Sequence, residues 1–544
     1  MPPSTRASRD SYEGTALLSP QHAAESPTLS PPLSFPPPTE KREKPWIFLV
    51  GLLFFMVAVI DIGDYMSDAP KTRVFESNIC LDYYRTNDPS QIGPDGYVPE
   101  KLCKIDEVQQ KLAMIFGWQD TFDAIPGMLL AVPFGALADK WGRKWILATS
   151  LVGLQLKASW VLLIGYFQSL PLQLTWFSSA FYIIGGGPIV AVAVAMTMVS
   201  DVCPPDKRTT IFLYLTAAVL LGEMVSPIIS SRLMEHGNWL PLLLALGIQF
   251  IGALAAVICP ETLHMQDLPE PTDDDETDSI ELQSKKESSG IKTHLGHFKT
   301  AFLFLKSDTT LMLVVLTFLG NRLGRNGMTL LIRYASKRYG WEIKKAAYLV
   351  SFRAATNLVS VTIFIPTVNF ILLKYIRLPP HWADMYLARG SVILTAASFF
   401  IMAVAFQPAL LIIGLLVYNL GTGYSAAMRS IAIHVVGGQT SPDVGKLMSL
   451  LAITESIGLM LSGPLLNSMF QWGMDMGSMW LGLPFLTVSF MFCLVTLLTY
   501  LIRIGNKDVE YVEVAGDEEE EDAAVTNGTM RSTSPRGLGP QRTA

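Results

Sequence analysis

Twelve runs of mostly apolar residues constrain this chain more than any other feature. They lie at approximately 46–66, 111–137, 145–167, 173–199, 209–231, 239–259, 309–333, 346–373, 386–406, 409–431, 444–468 and 479–502. Each is long enough, as a helix, for about 30 Å of hydrocarbon. Half of the 544 residues are hydrophobic and only 16% are charged. The mean hydropathy is +0.35. An ordinary soluble protein of this size does not carry so many long apolar runs. The expected class is an all-α, multi-pass membrane protein. The net charge of −6 points to no partner, because the acids gather in two polar stretches. No basic field offers a surface to nucleic acid. The first apolar run begins only near Trp46, so no cleavable leader is expected.

The polar stretches set the domain plan. Residues 1–44 hold Ser19-Pro20, Ser26-Pro27 and the run Ser30 to Pro38, which cannot bury a core, and read as a disordered tail. Lys41, Arg42 and Lys44 then precede the first run and place the N-terminus in the cytoplasm. The basic loops Asp139–Lys144, Pro205–Arg208 and Lys374–Arg377 fall on the same side, whereas Lys337, Arg338, Lys344 and Lys345 break the rule. Residues 67–110 read as a long outer loop. Residues 261–308 form an acidic cytoplasmic linker around Asp273, Asp274, Asp275, Glu276 and Asp278, with a possible surface helix from Ile291 to Lys306. Residues 504–544 form a second disordered cytoplasmic tail. A repeat divides the rest. Pro205 and Pro442, Pro227 and Pro464, and Gly186 and Gly423 each stand 237 residues apart. Residues 45–260 and 309–503 are therefore read as two related six-helix bundles.

The loop after the second run carries the most specific motif. It reads Gly135-Ala136-Leu137-Ala138-Asp139-Lys140-Trp141-Gly142-Arg143-Lys144. Gly135 permits close helix approach, Gly142 permits a tight turn, and Lys140, Arg143 and Lys144 hold the loop inside. Asp139, at a helix end, is placed to accept from N–H groups of a neighbouring helix start, and the expected neighbour is the eleventh helix, entered at Pro442-Asp443. This stretch resembles the signature G-x-x-x-D-[RK]-x-G-R-[RK] of the major facilitator superfamily. Pro260-Glu261-Thr262 resembles a landmark of the same family. The resemblance implies twelve helices in two bundles and solute movement by alternating access. It implies that helices one, four, seven and ten line the cavity, with two, five, eight and eleven beside them. Phe75-Glu76-Ser77-Asn78-Ile79-Cys80, Tyr83-Tyr84, Ala124-Ile125-Pro126-Gly127 and Ala131-Val132-Pro133-Phe134-Gly135 resemble a fungal subgroup. That subgroup is distantly similar to proton-coupled folate transporters and drug:proton antiporters. Gly222 to Pro227 only partly echoes the antiporter motif, whose Gly-Pro pair is absent there but present at Gly463-Pro464.

Charges inside apolar runs are costly and mark function. Asp61 with Asp64, Asp120 with Asp123, and Arg322 with Arg325 each share a helix face at i, i+3. Glu223, Glu455, Arg353 and Arg429 stand singly in helices five, eleven, eight and ten. Asp61, Asp123 and Glu223 are the proton-coupling candidates, with Asp61 first. Arg322, Arg325 and Arg429 are the substrate-binding candidates, suited to an anionic group. The competing reading pairs these charges across the bundles as gates or struts. Asp64 and Asp120 fall near the outer surface, where solvation explains them. Lys157 lies midway along the third run without an evident partner. Cys80 and Cys103, both in the outer segment, are disulfide candidates. Cys203, Cys259 and Cys493 read as core residues, and no spacing suggests a metal. No cofactor is implied, no ATP-binding loop appears, and no nucleophile–base–metal constellation suggests an enzyme.

The functional expectation is a monomeric, proton-coupled secondary transporter of the plasma membrane with both termini cytoplasmic. Its task is export of a small organic molecule, a xenobiotic or secondary metabolite. The alternatives are import of an organic anion, or a transporter-like sensor without turnover.

Overall fold

The computed structural model describes residues 46–94, 96–203, 208–262, 309–437 and 444–502. Calls made on 1–44, most of 261–308, the tail from 504 and the Pro205 and Pro442 loops lie outside the described residues. Those described are overwhelmingly helical, and no strand occurs among them.

The first half comprises α1 (Trp46–Asn87), α2 (Asp106–Trp141), α3 (Arg143–Tyr166), a short-pitch run Leu172–Ile184 leading into α4 (Gly187–Val202), α5 (Arg208–Leu233) and α6 (Trp239–Ile258). The second half begins with α7 (Thr309–Arg325), α8 (Leu331–Tyr339), α9 (Ile343–Val359) and α10 (Ile365–Phe370). It ends with α11 (Pro380–Ala403), α12 (Pro408–Leu420), α13 (Tyr424–Val435), α14 (Val444–Asp475) and α15 (Leu483–Leu501). Ten segments are long and apolar enough to cross a bilayer, and α2, bent by 50° at Pro133, makes eleven. The remaining expected crossing, Thr309–Tyr339, is helical. It carries Arg322, Arg325, Arg333, Lys337 and Arg338, which keep it out of the apolar set.

The segment read as an outer loop, 67–110, is largely helix. α1 runs on through Pro70 to Asn87, a helix of 42 residues. At 1.5 Å per residue that is about 63 Å, twice a hydrocarbon core. Apolar burial holds the extension in place. Val74, Phe75, Ile79 and Leu81 pack with Leu112, Ile115, Ile164 and Leu242 in one core cluster, and the Asn78 side chain donates to the Gly165 carbonyl at 2.8 Å. This apolar spacing at three and four residues was visible in the sequence, but the polar residues between obscured it.

The repeat has a physical counterpart. The fourth crossing breaks at Gly185-Gly186-Gly187, where Gly186 and Gly187 adopt φ of +84° and +74°. A Cβ on Gly185 would stand 2.2 Å from the Ser150 amide of α3. The tenth crossing breaks between α12 and α13, where a Cβ on Gly421 would stand 2.2 Å from the Thr395 hydroxyl of α11. Each broken crossing thus leans its glycines on the equivalent neighbour in its own half. Pro227 and Pro464 lie inside α5 and α14 respectively.

Candidate functional site

One end of the bundle carries the signature loop and the other carries the disulfide. At the motif end, Gly142 turns the chain with φ +107°. Glu261 lies so close that a Cβ there would meet its carboxylate at 2.4 Å. That carboxylate caps α3, accepting from the backbone N–H of Arg143 at 3.0 Å and of Lys144 at 3.2 Å. Glu261 thus reaches the free N–H groups of α3 from the end of α6, while the entry to the eleventh crossing, where Asp139 is expected, lies outside the described residues. Asp139 is mostly exposed and lies 3.5 Å from Arg143. Arg143 itself is buried and ion-paired with Asp201 at the end of α4. Lys140 is exposed, and Lys144 stands over the Trp145 ring at 5.2 Å. Gly135 makes no close approach, since a Cβ there would meet open space.

At the other end Cys80 and Cys103 are joined by a disulfide. Beside it, a fully buried Glu76 accepts from Arg73 at 3.0 Å, Lys104 at 2.7 Å and Gln109 at 2.6 Å. Glu100 extends this network to the second half, accepting from the Ile343 N–H at the start of α9 at 2.7 Å. Lys337 of α8 pairs with Asp106 at 2.6 Å, and Gln110 donates to Asp475 at 2.6 Å. Deeper in, Asn467 of α14 accepts from Arg333 at 2.8 Å and stands 2.9 Å from where a Gly117 Cβ would be. Among the described residues, every hydrogen bond and ion pair joining the halves lies on this disulfide-side half. The halves are tied together at the disulfide end.

The charges separate into three groups. Glu223, buried in α5, forms an ion pair with Arg353 of α9, across the halves. The arginine that meets it is Arg353, not Arg322. Asp61 has no hydrogen-bond or ion-pair partner among the described residues, and acts electrostatically on Tyr65 together with Arg353. Asp123 is tied inside its own half: its carboxylate takes Lys157 at 2.5 Å, Ser179 at 2.5 Å and Gln119 at 3.0 Å. Lys157 also donates to the Tyr182 hydroxyl at 2.8 Å. Lys157 thus gains the partner that its position in the third run did not reveal. Asp120 is not solvated. One of its oxygens is buried without a hydrogen bond, its Cβ is 2.8 Å from where a Gly463 Cβ would stand, and Arg333 is the first opposite charge acting on it. Asp64 is exposed as expected.

The third group lies in the second half. Gly320 and Gly324 turn one face of α7 onto Val495 and Phe492 of α15, each with a gap too small for a Cβ. Arg322 and Arg325 lie away from that face. Arg429 is taken by Glu455 at 2.8 Å. Arg322 is exposed and forms no ion pair or hydrogen bond among the described residues; Glu455, Arg325 and Arg429 are the charges acting on it. Sequence reasoning gave no role to Glu76, Glu261, Lys157 or Arg333. Two carried a signal: Glu261 in Pro260-Glu261-Thr262, and Lys157 as a charge inside an apolar run.

Two helical halves with matching breaks, joined at one end with charges meeting between them, define a membrane carrier. The Major Facilitator Superfamily profile matches residues 109–463, and the chain belongs to that superfamily. It is 35% identical over 461 residues to the MFS efflux pump atnC of Emericella nidulans, covering 84% of this chain and 88% of that one. It is 31% identical over 442 residues to the efflux pump ustT of Aspergillus flavus, covering 79% and 83%. Solved structures agree on the fold. The nucleoside transporter NupG matches with a TM-score of 0.57 at 11% identity, over 84% of this chain and 99% of that one. The peptide transporter POT in complex with sulfate matches with 0.52 at 16%, over 84% and 94%. The protein is a multi-pass secondary transporter of small molecules, not an enzyme.

Proposed function

We propose that the chain exports a small organic molecule, a secondary metabolite or xenobiotic, across the plasma membrane in exchange for protons, as a monomer. The name efflux pump on the relatives at 35% and 31% identity supports the direction. The basic loops support a cytoplasmic motif end and cytoplasmic termini. The form described is then closed outward.

One observation carries the coupling: a buried Glu223 neutralised across the halves by Arg353. Opening the disulfide end must part this pair. A buried carboxylate without its counter-ion is costly, and taking a proton removes the charge. A proton entering from outside therefore accompanies outward opening, and its release accompanies the return. Glu223 displaces Asp61 as the primary candidate, because Arg353 gives it a partner in the other half. Asp61, which acts on Tyr65 as Arg353 does, is the second acceptor. Asp123, locked to Lys157, is a strut within its half.

The test is the metabolite profile of cells with and without the protein, at external pH 5 and 8. Compounds should be depleted inside and enriched outside only with the protein, more so at pH 5. Accumulation inside the cells would reverse the direction. Release indifferent to external pH would remove the proton.

A further inference from the structure

Charge bookkeeping inside the second half leaves a remainder. Five arginines lie along its crossings at depth: Arg322, Arg325, Arg353, Arg389, which donates to the Thr499 carbonyl at 3.1 Å, and Arg429. Arg353 is neutralised by Glu223 and Arg429 by Glu455. Neither Arg322 nor Arg325 has a carboxylate within ion-pair distance among the described residues, and Arg322 is exposed. Arg322 is thirteen residues into α7, or about 20 Å from the motif end at the helical rise. That depth is the middle of a bilayer. The helix cannot simply rotate it away, because Gly320 and Gly324 lock the neighbouring face onto α15. Its Cβ region is packed too: a Cβ on Gly458 of α14 would stand 3.2 Å from it. The side chain is therefore rooted between α7 and α14, while its charged end lacks a fixed partner.

A guanidinium this deep in a crossing, exposed and without a fixed partner, marks a substrate or ion pathway. Nature retains such a group where something arrives to neutralise it. Glu455 is near enough to act on Arg322, yet it is already engaged by Arg429. Arg325, one turn on, adds positive charge to the same region. A guanidinium also presents paired donors that match a planar two-oxygen anion.

We infer that Arg322 is the substrate's anchor and that the transported molecule carries an ionised carboxylate or an equally acidic planar group. Arg325 reinforces the field without being the contact, and Arg429 serves as the clasp on Glu455. This rests on the export reading only for direction. The anion class follows from the arginine alone and applies to a substrate moving either way.

The experiment has two arms, chosen so that the two readings fail separately. In the first, purified full-length protein is heated with naphthalene-2-carboxylate, indole-3-acetate and benzoate, and with the matching carboxamides. The acids should raise the unfolding midpoint at concentrations at least tenfold below their amides. Arg322→Gln should abolish that preference, and Arg322→Lys should restore part of it. In the second arm, cells expressing wild type or Arg322→Gln at equal surface abundance are profiled for released metabolites. Release of acidic compounds should fall at least tenfold. No acid-over-amide preference in the first arm, or a preference surviving in Arg322→Gln, overturns the inference. So does a released set that is neutral or cationic, which leaves the export reading standing. Acid binding at Arg322 with no release of any compound would instead defeat the export reading and leave the anion site.

Discussion

Removing Arg353 should open the disulfide end. The Glu223 side chain is 7% exposed and that of Arg353 is 23% exposed, so the pair is largely withdrawn from water. Removing one partner of a buried pair costs about 3–5 kcal/mol, because a charge is left uncompensated. The partial exposure of Arg353 argues for the lower figure, about 3 kcal/mol. The pair joins the two halves, so this penalty falls on the closed form and not on the parted one. At about 1.4 kcal/mol per tenfold, Arg353→Ala should move the closed–open balance more than 100-fold toward opening. Spin labels at the exposed Glu107 and Met476 bracket the Gln110–Asp475 contact. They would be placed in a background lacking Cys203, Cys259 and Cys493. Electron–electron distance measurements should show a single short population in wild type and a dominant longer one in Arg353→Ala. Adding Glu223→Gln to Arg353→Ala should recover most of the short population, since no charge remains to be stranded. An unchanged distribution in Arg353→Ala would refute the reasoning.

Three other outcomes follow from the site. Cys80→Ser should lower the free energy of unfolding by about 3 kcal/mol on the chain-entropy estimate for residues 23 apart, and the unfolding midpoint with it, and reductant should do the same to wild type only; non-reduced peptides carrying two free thiols would contradict the bond. Asp139→Asn should leave abundance and thermal stability near wild type, because its contact with Arg143 is exposed and long, but should slow turnover; normal turnover at normal abundance would show that the signature aspartate has no part in closing the motif end. Lys157→Met and Asp123→Asn should each destabilise by about 3–5 kcal/mol while the double variant costs clearly less, and additive losses in the cycle would deny the pair.

The fold was legible because the bilayer imposes a coarse rule: about 20 apolar residues per crossing. That rule located nearly every span. It failed where burial comes from protein and not from lipid. The extension of α1 past residue 66 is amphipathic and packs on α2 and α3, so its charges read as loop. The repeat was legible because prolines and glycines mark backbone events; Gly186 and Gly423, 237 residues apart, both fall at breaks. Pairing was not legible. Asp123 and Lys157 are 34 residues apart on different helices, and Glu223 and Arg353 are 130 apart in different halves. One sequence fixes how deep a charge lies, but which neighbour faces it depends on helix rotation and packing. The same limit hid the α3 cap, because only the fold brings Glu261 to the N–H groups of Arg143 and Lys144.

Coupled flux through Glu223 is the central claim, and one reconstitution tests it most directly. Wild type and Glu223→Gln would be placed in liposomes with the first compound whose release from cells depends on the wild-type protein. Uphill movement under an imposed pH gradient would be compared with exchange of labelled for unlabelled compound at equal pH. The account predicts that Glu223→Gln loses the pH-driven accumulation and keeps the exchange. Full pH-driven accumulation in Glu223→Gln would contradict it and place the proton, or the driving ion, elsewhere.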